Sequence, residues 1–206
     1  MKLKYITDSN KGVTFLAILI LMAIYHQWQN PTAWVYLALH GTYGILWVLK
    51  SRIFPDAAWE NRAPIWYGLI AWLGLMLYWI PAWLLMARGV QAPPWFLGLC
   101  IFLYIFGIFF HFTSDMQKYT SLKLQPNTLI VDGMMALSRN INFFGEFLTY
   151  MSFALLAMTF WAFLPLGIWF VFYWIPRMRR KERTLASLPG FEAYRKKTKA
   201  FFPYLF

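Results

Sequence analysis

From Ala63 to Ala87 the chain runs without a single Lys, Arg, Asp or Glu, and four other stretches share that character. They are Val13–Trp28, Thr32–Leu49, Trp95–Phe112 and Phe147–Pro176. A helix of about 17 to 25 apolar residues crosses a hydrocarbon core of ~30 Å. Each of the first four runs therefore fits one crossing, and the chain is expected to be an all-α, polytopic membrane protein. Composition agrees: 60% of the 206 residues are hydrophobic, 21% are aromatic and only 13% are charged. A soluble domain of this size would leave part of that apolar surface against water.

The fifth run is too long for one crossing. As a single helix it would rise about 45 Å at 1.5 Å per residue, and Pro165 would break its middle. A hairpin with its tip near Trp161 to Pro165 resolves both conflicts, one arm beginning at Asn142 and the other reaching Lys181. The expectation is thus about six helices, at 13–28, 32–49, 63–87, 95–112, 142–162 and 165–181, with a kink at Pro81. A polar loop over 113–141 and a tail over 182–206 complete one integral membrane domain, 1–206.

Basic residues set the orientation. With six crossings and a cytosolic N-terminus, every Lys and Arg except Arg88 falls on the cytosolic side. Five crossings would strand the basic tail from Arg177 onward on the opposite side, against the positive-inside bias. Both termini are therefore expected in the cytosol. The same distribution explains the net charge of +11 without a nucleic-acid partner, because the cations flank apolar spans. The early lysines Lys2, Lys4 and Lys11 resemble a signal peptide's charged region, but no small-residue cleavage site follows, so a retained first helix is expected. The single cysteine, Cys100, lies in an apolar span and reads as a packing residue.

Polar chemistry concentrates between the fourth and fifth runs and in the tail. His111 and Asp115 are four residues apart and Lys118 three further on, so a helix continued past the membrane surface would turn all three one way. Glu146 opens an apolar run. An ionisable group there faces a partner or a watery cavity, or else caps a helix through the dipole. Gly145 beside it permits close backbone approach. In the tail, Arg177 to Arg183 form a basic run, and Leu185, Leu188, Phe191 and Tyr194 recur at near-helical spacing across a Pro189-Gly190 break. That segment suits anionic lipid, and its Arg and Lys side chains equally suit a phosphate-bearing cofactor. No metal-ligand cluster is expected.

Several pieces of this region together resemble a known family. They are Ser114-Asp-Met-Gln-Lys118, Asn142-Phe-Phe-Gly-Glu146, Glu182, Pro189-Gly-Phe-Glu-Ala-Tyr194 and the ending Phe202-Pro-Tyr-Leu-Phe206. Over roughly residues 105 to 206 they look like the C-terminal region of the steroid 5α-reductases. The wider group holds sterol reductases and, more distantly, isoprenylcysteine carboxyl methyltransferases and phospholipid N-methyltransferases. The resemblance implies a helical membrane enzyme whose loop and tail hold NADPH while a lipophilic substrate enters from the bilayer. It implies a cofactor pocket lined by Asp115, Lys118, Arg139, Asn142, Glu146, Arg183 and Tyr194. It departs at Arg139-Asn140-Ile141, where relatives often read Arg-His-Pro.

The leading expectation is an NADPH-dependent reductase of a C=C bond in a steroid-like or enone substrate. Tyr43 and His40, three apart on one face of the second run, are candidates for polarising a substrate carbonyl, with Glu146 as a third catalytic candidate. The alternatives are a methyltransferase using S-adenosylmethionine on a lipid or prenylated thiol, and an inactive scaffold relative. A transporter is disfavoured because the first four runs carry no charged residue.

Overall fold

A computed structural model describes residues 1–205, the Ala58 side chain excepted; Phe206, the last residue of the family-like ending, lies outside the described residues. In chain order the helices are α1 (Leu3–Ile24), α2 (Pro31–Ile53), α3 (Ile65–Arg88), α4 (Pro94–Leu124), the single turn α5 (Met134–Leu137), α6 (Ile141–Leu156), α7 (Phe160–Ala186) and α8 (Phe191–Lys197). Among the described residues there is no β-strand, and the chain is an all-helical, polytopic integral membrane protein. Five helices, α1 to α4 and α7, are long and apolar enough to cross a bilayer. The sixth expected helix is present as α6, but its 16 residues rise only about 24 Å, short of a ~30 Å core.

Boundaries follow local chemistry. Asn30 caps α2, its side chain accepting from the Thr32 amide at 2.9 Å, and Pro31 takes the first helical position, where no N–H is needed. In α3 the helix tightens to a 3-10 turn over Met76–Trp79, just ahead of Pro81, whose ring and missing N–H disrupt that turn.

Three expectations change. Helix α1 begins ten residues before Val13, so Lys4, Asp8 and Lys11 lie inside it rather than on its flank. Thr7, Lys11, Thr14, Ile18 and Met22 form its buried stripe, and their three- and four-residue spacing is what extends the helix toward the N-terminus. Helix α4 continues to Leu124, so only residues 125–133 of the expected 113–141 loop are irregular before α5. Finally, the turn before α7 falls at Ala157 to Thr159, with Met158 at φ 46°, several residues earlier than Trp161 to Pro165. Pro165 sits in the first turn of the following α-helical segment, where proline is tolerated. The ring pairs Phe147–Phe170 and Phe143–Trp174 run in opposite directions along α6 and α7, which confirms the antiparallel hairpin.

The chain divides into two compact units. Unit one comprises Met1–Tyr104 and Tyr150–Leu166; unit two comprises Ile105–Thr149 and the chain from Gly167 onward. In unit one α1 packs on α2 and α3. The α1–α2 crossing is close because Gly44 has no side chain; a Cβ there would collide with the Lys11 carbonyl oxygen. Unit two has its own apolar cluster of Met135, Ile141, Phe191 and Tyr194, ringed by Phe110, Phe144 and Leu185.

Candidate functional site

The richest polar arrangement in unit two begins with a backbone contact. A Cβ on Gly145 would fall on the His111 amide nitrogen, so α4 and α6 approach as closely as helices can. That approach brings His111 Nδ1 to 3.1 Å from the Asn142 carbonyl. A carbonyl only accepts, so Nδ1 carries the proton and Nε2 is turned toward Asp115, 3.6 Å from Oδ2. His111 and Asp115 are both buried, at 2% and 8% exposure. The one-face placement expected of His111, Asp115 and Lys118 is met, since α4 stays helical through all three. Lys118 and Glu146 are half-buried, each engaged within the protein.

The second arrangement ties the tail to the segment before α6. Arg139 Nε donates to Glu182 Oε1 at 2.7 Å, and its Nη1 donates to the Thr198 carbonyl at 2.5 Å. The Arg139 amide donates to the Lys199 carbonyl at 2.9 Å, Ser138 Oγ to the Phe201 carbonyl at 2.9 Å and Asn140 Nδ2 to the Ala200 carbonyl at 2.8 Å. Lys181 Nζ donates to the Arg139 carbonyl at 2.6 Å. Three consecutive residues thus bind four consecutive tail residues. Tyr194 Oη donates to the Met135 carbonyl at 2.7 Å, and burial pushes its phenol up to about 12.

These bonds assign roles. Arg139 and Tyr194, expected on the cofactor wall, hold the tail in place, Arg139 through Nε and Nη1 and Tyr194 through its hydroxyl. Asn140, at the position where the resemblance leads one to expect His, does the same through Ala200. Arg183 lies exposed on α7 with Arg179 and Arg180. The side-chain oxygens of Asn140 and Asn142 are shut from solvent without a donor among the described residues. Asn142 therefore presents an unmet acceptor a few residues from the Arg139 clamp.

His40 and Tyr43 belong to unit one. Both are fully buried, and His40 lies in a π turn over Leu37–Gly41, a local widening often found at functional positions. His40 stacks on Phe153 at 4.2 Å and shares a 3.0 Å hydrogen bond with Tyr36 Oη. Tyr43 meets Tyr150 edge-on at 5.6 Å. The neighbour that sequence reasoning missed is Lys11, only 4% exposed. Its ammonium donates to Tyr150 Oη and lies 4.8 Å from the Tyr43 ring, 4.8 Å from Tyr78, 4.9 Å from Tyr150 and 5.4 Å from Trp47. The available signal was its place on the Thr7, Lys11, Thr14 stripe. With Lys11 in a membrane helix, the spans do carry a charge, and the premise that disfavoured a transporter no longer holds.

Taken together, the fold and these clusters define a helical membrane protein with a buried polar cluster and a hydrogen-bonded C-terminal tail. By its sequence the chain belongs to the family DUF1295, described as a protein of unknown function, whose model matches residues 2–198. No curated protein matches it.

Proposed function

We propose that the chain is a membrane-embedded reductase that uses NADPH to saturate a C=C bond of a lipophilic, steroid-like or enone substrate. The observation that carries this reading is the polar cluster of unit two: an unmet Asn142 acceptor and a fixed His111–Asp115 pair in the same unit as the exposed arginines of α7. Asn142 suits an amide or amine N–H of a nucleotide cofactor, and Arg179, Arg180 and Arg183 suit its phosphates. The residues present therefore fit a dinucleotide, whose nicotinamide supplies the hydride when bound. Arg139, Asn140 and Tyr194 act by holding the tail. Asp115, Lys118 and Glu146 complete the cofactor side. Carbonyl polarisation falls to Tyr43 and His40 in this reading, and both termini face the cytosol.

Thermal melts of the purified protein decide between cofactors, because a ligand bound to the folded state alone raises Tm. NADPH should raise it and S-adenosylmethionine should not. The reverse result would replace reduction by methyl transfer, and a shift with neither, together with intact cellular function in Glu146→Gln and Asn142→Ala, would leave a scaffold. Tyr43→Phe should lower kcat while leaving the NADPH-induced shift unchanged.

A further inference from the structure

Between the N-terminal turns of α1 and the C-terminal turns of α2, unit one holds a groove of about 390 Å³ lined by Lys4, Tyr5, Asp8, Ser51, Arg52 and Pro55, with Val48 at its wall. That volume lies within the ~300 to 1,000 Å³ of small-ligand sites. A smaller recess of about 10 Å³ shares Lys4, Asp8, Ser51 and Pro55 and is backed by Trp47 and Trp59. It has room for about one water-sized group.

The charges along this groove are unequally committed. Glu60 accepts from Lys2 at 2.6 Å and from Lys4 at 2.5 Å, so both lysines are answered, and their ammonium groups hold its carboxyl below the usual range. Asp8 Oδ2 accepts from Ser51 Oγ at 2.8 Å and the carboxylate also engages Trp47. Asp8 Oδ1, however, is shut from solvent with no donor among the described residues. Arg52, on the same groove, is exposed and makes no ion pair among the described residues. The groove therefore offers one unmet anionic acceptor and an exposed guanidinium whose charge reaches Asp8 without an ion pair.

We infer that this groove binds the headgroup of an aminophospholipid, a primary ammonium joined to a phosphate. The ammonium donates to Asp8 Oδ1, since only a nitrogen bearing hydrogen satisfies that atom, and the phosphate lies on Arg52. A quaternary ammonium has no N–H and leaves the acceptor unmet. The lipid, rather than a free phosphorylated amine, is indicated by the flanks. The groove lies between two bilayer-crossing helices, and Tyr5, Ile45, Leu49 and Ile53 are exposed on them at 56%, 49%, 46% and 60%, an apolar track for acyl chains.

The test measures lipid binding to the purified full chain by native mass spectrometry and by Tm, with phosphatidylethanolamine, phosphatidylcholine and phosphatidylglycerol of equal chain length. One charge-assisted hydrogen bond corresponds to about a tenfold preference or more for the ethanolamine lipid over the choline lipid. Asp8→Asn should abolish that preference. Arg52→Gln, at an exposed position, should weaken all three lipids by a similar factor and keep the preference. Equal binding of the ethanolamine and choline lipids by the wild type would overturn the proposal, as would a preference that survives in Asp8→Asn. Should Asp8→Asn fail to fold, Arg52→Gln decides alone: unchanged lipid affinity would defeat the phosphate contact. Free phosphoethanolamine that competes at the same concentration as the lipid would overturn the lipid assignment and leave a soluble ligand in its place.

Discussion

Lys11 in unit one and Arg139 in unit two are both cations almost closed to solvent, at 4% and 7% exposure, and the protein accommodates them by different chemistry. Around Lys11 stand four aromatic rings and one phenol oxygen. Ring faces attract a cation without demanding a bond angle, so the ammonium needs only to be near them. Around Arg139 stand a carboxylate and backbone carbonyls, each meeting a particular N–H of the planar guanidinium. The first arrangement is a packing solution that an apolar side chain can imitate. The second is a set of bonds whose loss strands several acceptors at once.

The largest expected effect tests that contrast directly. Arg139→Met should destabilise unit two by about 3 to 5 kcal/mol, the usual cost of removing one partner from a buried ion pair. Limited proteolysis should then cut the tail beyond Ala186 much faster than in the wild type. A variant as stable and as resistant as the wild type would mean the clamp is incidental. Next in size come the two glycine crossings. Gly145→Ala and Gly44→Ala each place a methyl group on backbone, at His111 and at Lys11, and backbone cannot yield as a side-chain end can. Each should cost about 1 to 3 kcal/mol, read as a lower Tm. Lys11→Met comes third and should change stability by no more than about 1 kcal/mol in either direction, because apolar replacement of a buried charge is often neutral. A loss as large as that of Arg139→Met would erase the difference between the two regions.

How much was legible beforehand differs along the same line. Membrane crossings leave long charge-free runs, and those runs located α2, α3 and α4 within a few residues at their N-terminal ends. Helix α1 was cut short because Lys11 reads as a flanking charge unless its rings are known, and those rings come from α2, α3 and α6. Pro165 looked like a breaker because its position within the first turn of an α-helical segment depends on where the preceding turn falls. The pairing of Ser138, Arg139 and Asn140 with Thr198 to Phe201 joins segments about sixty residues apart, and no local period encodes it. The grouping of His111 with Asp115 was readable because both lie on one helix. Asn142 joins them only through the Gly107–Gly145 approach of two helices.

The smallest effect separates a single bond from the clamp it sits beside. Tyr194 Oη donates one hydrogen bond, to the Met135 carbonyl, so Tyr194→Phe should cost about 1 kcal/mol at neutral pH. Its titration gives a second and independent reading. Burial raises the phenol from 10.0 to about 12 in the folded chain, so the neutral form is favoured by folding. A group whose folded pKa is raised contributes stability that is complete below the unfolded value and fades as pH rises through the folded one. Melts between pH 10 and 12 should therefore show falling stability in the wild type and a shallower fall in Tyr194→Phe. An identical alkaline slope in the two proteins would show that Tyr194 is not the group that titrates, and the bond to Met135 would then stand on the neutral-pH difference alone.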